Sequence, residues 1–309
     1  MIMEVENMSS SATEQEKNPK WLQERRREVR LRRGQLLDNP LERAVTYKVC
    51  TERDELEKSY ELVCEEYKKV GLQDDDKSGL RFTKYHLLPS TKVFTATFRP
   101  TLLDDEPDYN HPGELVGTLT LVPDSPLGLP MEEVCQKHVQ RIRDSKGVPA
   151  EVVALAVNQD YRKYNIMMYL YRLMFEYAQM KNISDITCSV TKRHIRFYRT
   201  MFLFEPMGEL KEYAAANGME VQCHRLNIKK SKSLAKEVYN SRHFDADLFA
   251  FFFTGNRGLG RPLGEGNPLS EADLKYLITE RSKFIKTLDE GTLNVMRAEY
   301  DRIGCKFPF

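Results

Sequence analysis

The 309-residue sequence lacks the features by which several classes of protein are recognised. No apolar run approaches the ~20 residues that span a bilayer, and the first twenty residues have no apolar core of the kind found in signal peptides. The formal net charge is only +1, which gives no general attraction for polyanions, so we predict no nucleic-acid partner. We expect a cytoplasmic protein whose electrostatic recognition is local.

The six cysteines are scattered along the chain and include no Cys-x-x-Cys pair. They signal neither a zinc site nor a disulfide framework, so we predict no metal site and a reducing compartment. The 41% of hydrophobic residues and 30% of charged residues are ordinary for a globular protein. The length is sufficient for a sizeable core in one large or two modest domains.

The most informative stretch is residues 151–204. Glu151–Val157 is a short apolar run, as expected of a buried strand. Over residues 166–182 apolar side chains recur at the spacing of one helix face, and a lysine and an asparagine close the pattern. Alternation over 186–190 predicts another strand, and residues 194–201 predict a shorter helix.

The rest of the chain shows similar patterns. In chain order these predict strand 44–50, a helix after Thr51, strands 91–98 and 114–122, helix 132–143, helix 209–217, strand 220–228 and a basic turn at 229–232. The apolar run Leu248–Thr254 fits either a core strand or part of an acyl-chain pocket. Residues 255–268 are rich in glycine but match no phosphate-binding motif. Two helices are predicted from Ser270 to about Tyr300.

Three segments together resemble the core of the GNAT acyltransferase superfamily. They are Val116–Val122 with the following Pro126–Pro130, Glu151–Val157 with Arg162, and Arg193–Arg199 running into Phe202–Pro206. Within that superfamily the chain resembles the N-acyl amino acid synthases of the long-chain N-acyltyrosine type, which are relatives of the acyl-homoserine-lactone synthases. The resemblance covers roughly residues 45–230.

The resemblance implies an α/β fold with a mixed, mostly antiparallel central sheet flanked by helices, and with helical extensions at both ends. We expect three parts: a disordered tail and basic helix over 1–40, the GNAT-like core over 41–235, and a mostly helical extension over 236–309. The related synthases also have a segment that shapes the acceptor pocket, which here would be Gly71–Leu88. This segment contains a charged loop, and we favour the alternative that it is an ordinary exposed connection.

One departure from the superfamily concerns the acyl donor. Most GNAT enzymes hold the pyrophosphate of coenzyme A on the bare N–H groups of a glycine-rich turn before the long helix. Here that turn, Arg162–Ile166, has no glycine. The synthases share this lack, which implies an acyl-phosphopantetheine thioester on an acyl carrier protein as donor in place of coenzyme A, and no bound cofactor. The alternative is a turn that binds no ligand.

Catalytic candidates also follow from the resemblance. Glu151 matches a functional carboxylate of the synthases and is our candidate base, because only a neutral amine attacks a thioester. Backbone N–H groups of Ala156 and Val157 would hold the oxyanion. Tyr198 matches an acid that protonates the leaving thiolate. The alternatives are a surface carboxylate for Glu151 and a core tyrosine with a satisfied hydroxyl for Tyr198.

Two basic regions are candidates for partner binding. The first would grip the phosphopantetheine phosphate and an acidic helix of the carrier protein. It comprises Arg162, Lys163, Lys192, Arg193 and Arg196. The second is the arginine-rich helix predicted over residues 21–37, which fits an acidic partner or the anionic inner face of a membrane. For both regions the alternative is a solvated charged face.

The function predicted from these features is transfer of a long-chain fatty acyl group from acyl carrier protein to the amino group of an amino acid. The amine attacks directly, with no covalent enzyme intermediate. An acyl-homoserine-lactone synthase is one alternative, although we find no separate signature for its S-adenosylmethionine pocket. A non-catalytic GNAT-fold adaptor that binds a carrier protein or a membrane surface is another.

Overall fold

A computed structural model describes residues 37, 41, 43–74, 78–101, 108–239, 247–254, 269–282 and 284–309. The predicted helix over 21–37 and the glycine-rich stretch 255–268 therefore lie outside the described residues, apart from Leu37. No helix among the described residues is long and apolar enough to cross a membrane.

The chain alternates strands and helices in the order that the sequence patterns predict for its first half. The elements are β1 (Val45–Val49), α1 (Arg53–Lys69), a 3-10 turn (Lys84–Leu87), β2 (Lys92–Phe98), β3 (Glu114–Pro123), α2 (Glu132–Asp144), β4 (Pro149–Val157), a 3-10 turn (Gln159–Tyr164), α3 (Ile166–Met180), β5 (Asp185–Thr191), a 3-10 turn (Lys192–His194) and α4 (Ile195–Met201).

The second half is made of shorter elements. They are β6 (Glu205–Pro206), β7 (Lys211–Glu212), a 3-10 turn (Ala214–Ala216), β8 (Glu220–Asn227), α5 (Ile228–Tyr239), a π-helical turn (Ala250–Thr254), α6 (Glu271–Lys275) continuing as a π-helix (Tyr276–Arg281), a 3-10 turn (Phe284–Thr287) and α7 (Glu290–Arg302).

The strands form one eight-stranded sheet in the order β1-β2-β3-β4-β5-β8-β6, with β7 also paired to β8. All pairs are antiparallel except β4 with β5, which are parallel. This confirms the predicted mixed, mostly antiparallel sheet. The parallel pair is the place where a βαβ unit carries the chain through α3, which buries most of its side chains.

A glycine lets α3 approach the sheet closely. A Cβ on Gly117 of β3 would lie 2.8 Å from Cγ2 of Ile166 at the start of α3, closer than real Cβ contacts. Gly117 thus marks a close backbone approach, and the register of β3 with β2 shifts at the same place.

A bulge in β4 changes which side chains face α3. Ala154 has a left-handed backbone (φ 51°), and the register with β3 shifts there. Before the bulge Ala150 and Val152 belong to the core that contains α3, whereas after it Leu155 and Val157 pack against that core. Ala154 itself packs against α1 on the other side of the sheet.

Three predictions for the second half are wrong. Residues 209–217 form no helix, because Lys211–Glu212 pairs with β8 and only Ala214–Ala216 forms a 3-10 turn. Residues 229–232 are not a turn but the first turn of α5. The run after Leu248 is no strand; it is helical, and Phe251 and Phe252 pack into the core.

The C-terminal segment packs onto the sheet domain. Leu274, Ile278, Met296 and Tyr300 share a buried cluster with residues of β3, α2 and the turn after α1. The hydroxyl of Tyr300 donates to the carbonyl of Leu87 (3.0 Å), at the end of the Lys84–Leu87 turn. The predicted helices are present, as α6 with its π-helical continuation and as α7. The division of the chain into three parts stays a prediction.

Candidate active site

A cleft of about 1250 Å³ opens where β4 and β5 separate. The two strands pair only from Pro149 to Val152 on β4, and every residue from Glu151 to Val157 lines the cleft. The opposite walls come from α1, the segment 81–86, residues 127–136, α4 and residues 213–216. The cleft therefore brings together residues that are far apart in the sequence.

Glu151 is buried in the wall of this cleft, with 1% of its surface exposed. The N–H of Met131 donates to its Oε2 (2.7 Å), and the Ser189 hydroxyl also hydrogen-bonds to it. Burial raises the pKa of Glu151 from 4.5 to about 8, and the two hydrogen bonds offset only part of that rise. The alternative of a surface carboxylate is wrong.

The backbone of β4 offers N–H groups to the cleft. The N–H of Leu155 donates to the Tyr67 oxygen. Burial raises the pKa of Tyr67, and the charge of Arg81 and this hydrogen bond oppose the rise. The N–H of Asn158 donates to Val116 of β3 (2.9 Å). Because N–H groups alternate sides along a strand, Val157 and Leu155 face the cleft.

Ala156, by the same alternation, directs its N–H toward its β3 partner Thr118. By this alternation Leu155 and Val157 are the residues whose N–H groups face the cleft, whereas the oxyanion role of Ala156 and Val157 stays a prediction. The bulge at Ala154 lies just before these residues, and no periodicity in the sequence indicates it.

Tyr198 lines the cleft with its ring among Phe197, Phe202 and Phe204. The hydroxyl of Tyr171 donates to the Tyr198 oxygen (3.0 Å), so the proton of Tyr198 remains to be donated. Burial raises the pKa of Tyr198, which keeps it protonated at neutral pH. The side chain thus packs as a core tyrosine does and also reaches the cleft.

The predicted cations divide into two groups. Arg162 and Arg193 line the cleft beside His194, whose pKa is lowered by burial and by both arginine charges. Arg162 also forms an ion pair with the buried Glu66. Lys163, Lys192 and Arg196 are exposed and lie outside the cleft wall.

In the turn before α3 an asparagine adopts the backbone conformation that a glycine would otherwise supply. Asn165 adopts a left-handed backbone (φ 56°), the conformation that glycine adopts most readily. Its carbonyl accepts the N–H of Met168 (2.8 Å) and so begins α3. The turn is therefore built without glycine, and its side chains remain beside the cleft.

The segment before β2 is the main part of the cleft that the sequence patterns miss. Arg81, Thr83, Lys84, Tyr85 and His86 all line the cleft, and His86 and the following two leucines are buried. The favoured alternative of an exposed connection is wrong for these residues, whereas 75–77 lie outside the described ones. This placement agrees with the pocket-shaping role that the resemblance implies.

One end of the cleft is acidic. Burial raises the pKa of Tyr85 to about 12, and the carboxylates of Glu151, Glu132 and Glu133 add to that rise. Burial and the charges of Glu151 and Glu133 likewise raise the pKa of Tyr213. These shifts show that the two phenols and the carboxylates are near one another. Arg143 pairs with Glu132 and offsets its charge, so Glu133 and the ionised form of Glu151 are the groups that attract a cation such as an ammonium.

No group of three or more His, Cys, Asp or Glu side chains that could hold a metal ion occurs in the part of the chain that the structure describes.

Comparisons with known proteins agree with this architecture. The sequence model of the family described as N-acyl amino acid synthase FeeM matches residues 58–227, more than half of the chain. The chain is similar in structure to FeeM from uncultured soil microbes, an N-acyl amino acid synthase, with 20% identity over 61% of this chain and 93% of that one (TM-score 0.52). No curated protein matches the sequence.

Two further structures show weaker similarity. BjaI, a CoA-dependent acyl-homoserine lactone synthase, has 14% identity over 63% of this chain and 89% of that one (TM-score 0.43). An N-acetyltransferase from Staphylococcus aureus Mu50 has 13% identity over 59% of this chain and 97% of that one (TM-score 0.37).

Proposed function

Since the chain belongs to the N-acyl amino acid synthase FeeM family and is an acyltransferase, we propose that it moves a long-chain fatty acyl group from acyl carrier protein to the amino group of an amino acid. The observation that carries this proposal is Glu151, a carboxyl group buried in the cleft with a pKa of about 8. Such a group can take a proton from a substrate ammonium near neutral pH.

Glu151 acts first, as the general base. Its carboxylate takes a proton from the ammonium of the bound amino acid, which leaves a neutral amine. The approach of the ammonium to the acidic end of the cleft favours the ionised form of Glu151, because an opposite charge lowers the pKa of a carboxyl group. The amine then attacks the carbonyl carbon of the thioester.

The backbone of β4 acts next. Negative charge develops on the thioester oxygen as the C–N bond forms. The cleft-facing N–H groups of Leu155 and Val157 would donate to that oxygen. For this the Tyr67 hydroxyl, which accepts from Leu155 in the free protein, must give up its place to the substrate.

Tyr198 acts last. The C–S bond breaks, and the departing phosphopantetheine thiolate takes the proton of the Tyr198 hydroxyl. The attacking nitrogen loses its second proton at this stage, and that proton restores Tyr198 through solvent, while Glu151 releases the first proton to solvent. A thiol with a pKa near ~8.5 leaves without much help, so this proton transfer contributes less than the base does. No bond between enzyme and acyl group forms at any step, because the thioester is already activated.

Acyl carrier protein is the donor we favour, because the turn before α3 has side chains where coenzyme A would need bare backbone. Arg193 at the cleft and the exposed Lys163, Lys192 and Arg196 give a basic surface for an acidic carrier. Arg162 contributes less, because Glu66 offsets its charge. The cytoplasmic location and a peripheral membrane contact through residues 21–37 stay predictions.

The test is incubation of the purified protein with a long-chain acyl carrier protein thioester and the twenty protein amino acids, followed by mass spectrometry. We expect an N-acyl amino acid with the wild type and none with Glu151→Gln. Glu220→Gln, an exposed change on β8, is the matched control and should retain activity. An acyl lactone formed with added S-adenosylmethionine, or transfer from acyl-coenzyme A alone, would refute the proposal.

A further inference from the structure

One cation, Lys84, lies near the carboxylates at the acidic end of the cleft. Lys84 lies in the 3-10 turn Lys84–Leu87, lines the cleft and is half-buried. Its Nζ lies 5.4 Å from the ring centroid of Tyr85, the same tyrosine whose pKa responds to Glu151, Glu132 and Glu133. Tyr85 thus lies near a positive group and also near carboxylates.

The other cations of the described cleft wall are already engaged or lie elsewhere. Arg81 donates to the carbonyl of Ala215 and lies over the ring of Tyr67. Arg162 pairs with Glu66, and Arg193 lies beside His194 at the end where β4 and β5 separate. Arg81 and Arg162 would each have to break such a contact before binding a substrate. Arg193 belongs to the basic surface proposed for the carrier protein.

Lys84 has no ion pair or hydrogen bond through Nζ among the residues that the structure describes. The N–H of Thr292 donates to Asp289 (2.8 Å), the cap of α7, and is the main cause of the lowered pKa of that carboxyl group, to which the charge of Lys84 adds. Apart from the Tyr85 ring, the ammonium of Lys84 therefore has no direct partner among the described residues that an incoming anion would have to displace.

Resting on the proposed function, we propose that Lys84 binds the carboxylate of the acceptor while the ammonium of the same molecule faces Glu151. A free α-amino acid carries both charges a few bonds apart, which matches a cation and carboxylates that lie near one tyrosine in the same cleft. The acceptor class is then a zwitterion with a free carboxylate, and simple amines or amino-acid amides are selected against. Lys84 is a specificity-determining residue and not a catalytic one.

The test measures kcat/KM for each amino acid that the enzyme accepts and for the corresponding amino-acid amide. The acyl donor is kept at a saturating concentration. The wild type should prefer the acid by about 10- to 100-fold in kcat/KM, as expected for a charged hydrogen bond. Lys84→Met should remove that preference mainly by raising KM for the acid, and Lys84→Arg should restore part of it. Lys137→Met, an exposed change on α2, is the control and should leave the ratio unchanged.

The ratio of acid to amide separates recognition from a structural effect, because a loosened cleft would impair both substrates alike. A Lys84→Met protein that keeps the wild-type preference overturns the inference, and so does a wild type that acylates acid and amide equally well. Titration calorimetry with the same acid and amide pairs gives an answer that is independent of turnover. Selective binding of acids that depends on Lys84, without any acyl transfer, would retain the inference and refute the proposed reaction.

Discussion

Replacing Glu151 by Gln should alter how the stability of the protein depends on pH, in addition to abolishing turnover. Burial raises the pKa of Glu151 from 4.5 to about 8. Between these values the folded protein holds a proton that the unfolded chain releases. The stability that this proton contributes is complete below about pH 4.5 and is lost as the pH rises through about 8.

The size of this contribution to the free energy of unfolding depends on how far the pH lies below the pKa of Glu151 in the folded protein. Each pH unit below it is worth about 1.4 kcal/mol, so at pH 6 the group contributes about 3 kcal/mol, and at pH 9 almost nothing. A glutamine side chain does not titrate and lacks this dependence. Between pH 6 and pH 9 the wild type should therefore lose about 3 kcal/mol more of its free energy of unfolding than Glu151→Gln does.

Urea unfolding at pH 6, 7, 8 and 9 measures this difference, with Glu220→Gln as a control that should follow the wild type. Subtraction of the two curves removes every titration that wild type and variant share. Parallel curves for wild type and Glu151→Gln would refute the reasoning, since they would place the pKa of Glu151 in its ordinary range. Turnover by the wild type should rise about tenfold from pH 6 to pH 7 and level off above pH 8.

Three further predictions concern other parts of the cleft and its support. Tyr198→Phe should lower kcat by about tenfold or less, because a thiolate leaves readily; a loss above 1,000-fold in single-turnover assays would make the hydroxyl essential. Gly117→Ala should destabilise the fold by about 1–3 kcal/mol in urea unfolding, because its Cβ would meet Ile166, and an unchanged midpoint would contradict this. The double change Lys192→Glu with Arg196→Glu should weaken carrier binding by at least about tenfold at low salt; equal binding by wild type and variant, or salt-insensitive binding, would exclude this surface.

Sequence patterns predict the central strands and α3 well, because these elements are buried on a regular period. β4 and β5 are short apolar or alternating runs, and α3 keeps helical spacing from Ile166 onward. Such signals reflect local geometry and burial together. The bulge at Ala154 leaves no comparable mark, because alanine is a common strand residue and its left-handed backbone depends on pairing with β3.

The errors in the second half have different causes. Residues 209–217 are rich in alanine and glutamate, which favour helix, but pairing with β8 overrides that propensity. In α5 a helical signal does exist, since Ile228, Ser231, Ala235 and Tyr239 are the buried positions, but it begins where the preceding strand pattern ends. A continuous apolar run such as Leu248–Thr254 does not distinguish helix from strand.

The candidate site was partly predictable. Glu151 and Tyr198 were found from the resemblance, and both line one cleft. Tyr67, Tyr85 and Lys84 were missed as site residues, because their roles depend on how segments distant in sequence meet across the cleft.

The contact of Tyr300 with the carbonyl of Leu87 ties the C-terminal helix α7 to the turn that carries Lys84. Tyr300 lies beyond residues 58–227, the part that the family model matches, whereas Leu87 closes the turn that presents Lys84. The turn that carries Lys84 is therefore held from outside the matched residues, by α7. Changes in α7 should therefore alter the position of Lys84, and with it the choice of acceptor, while β4 and Glu151 stay unchanged.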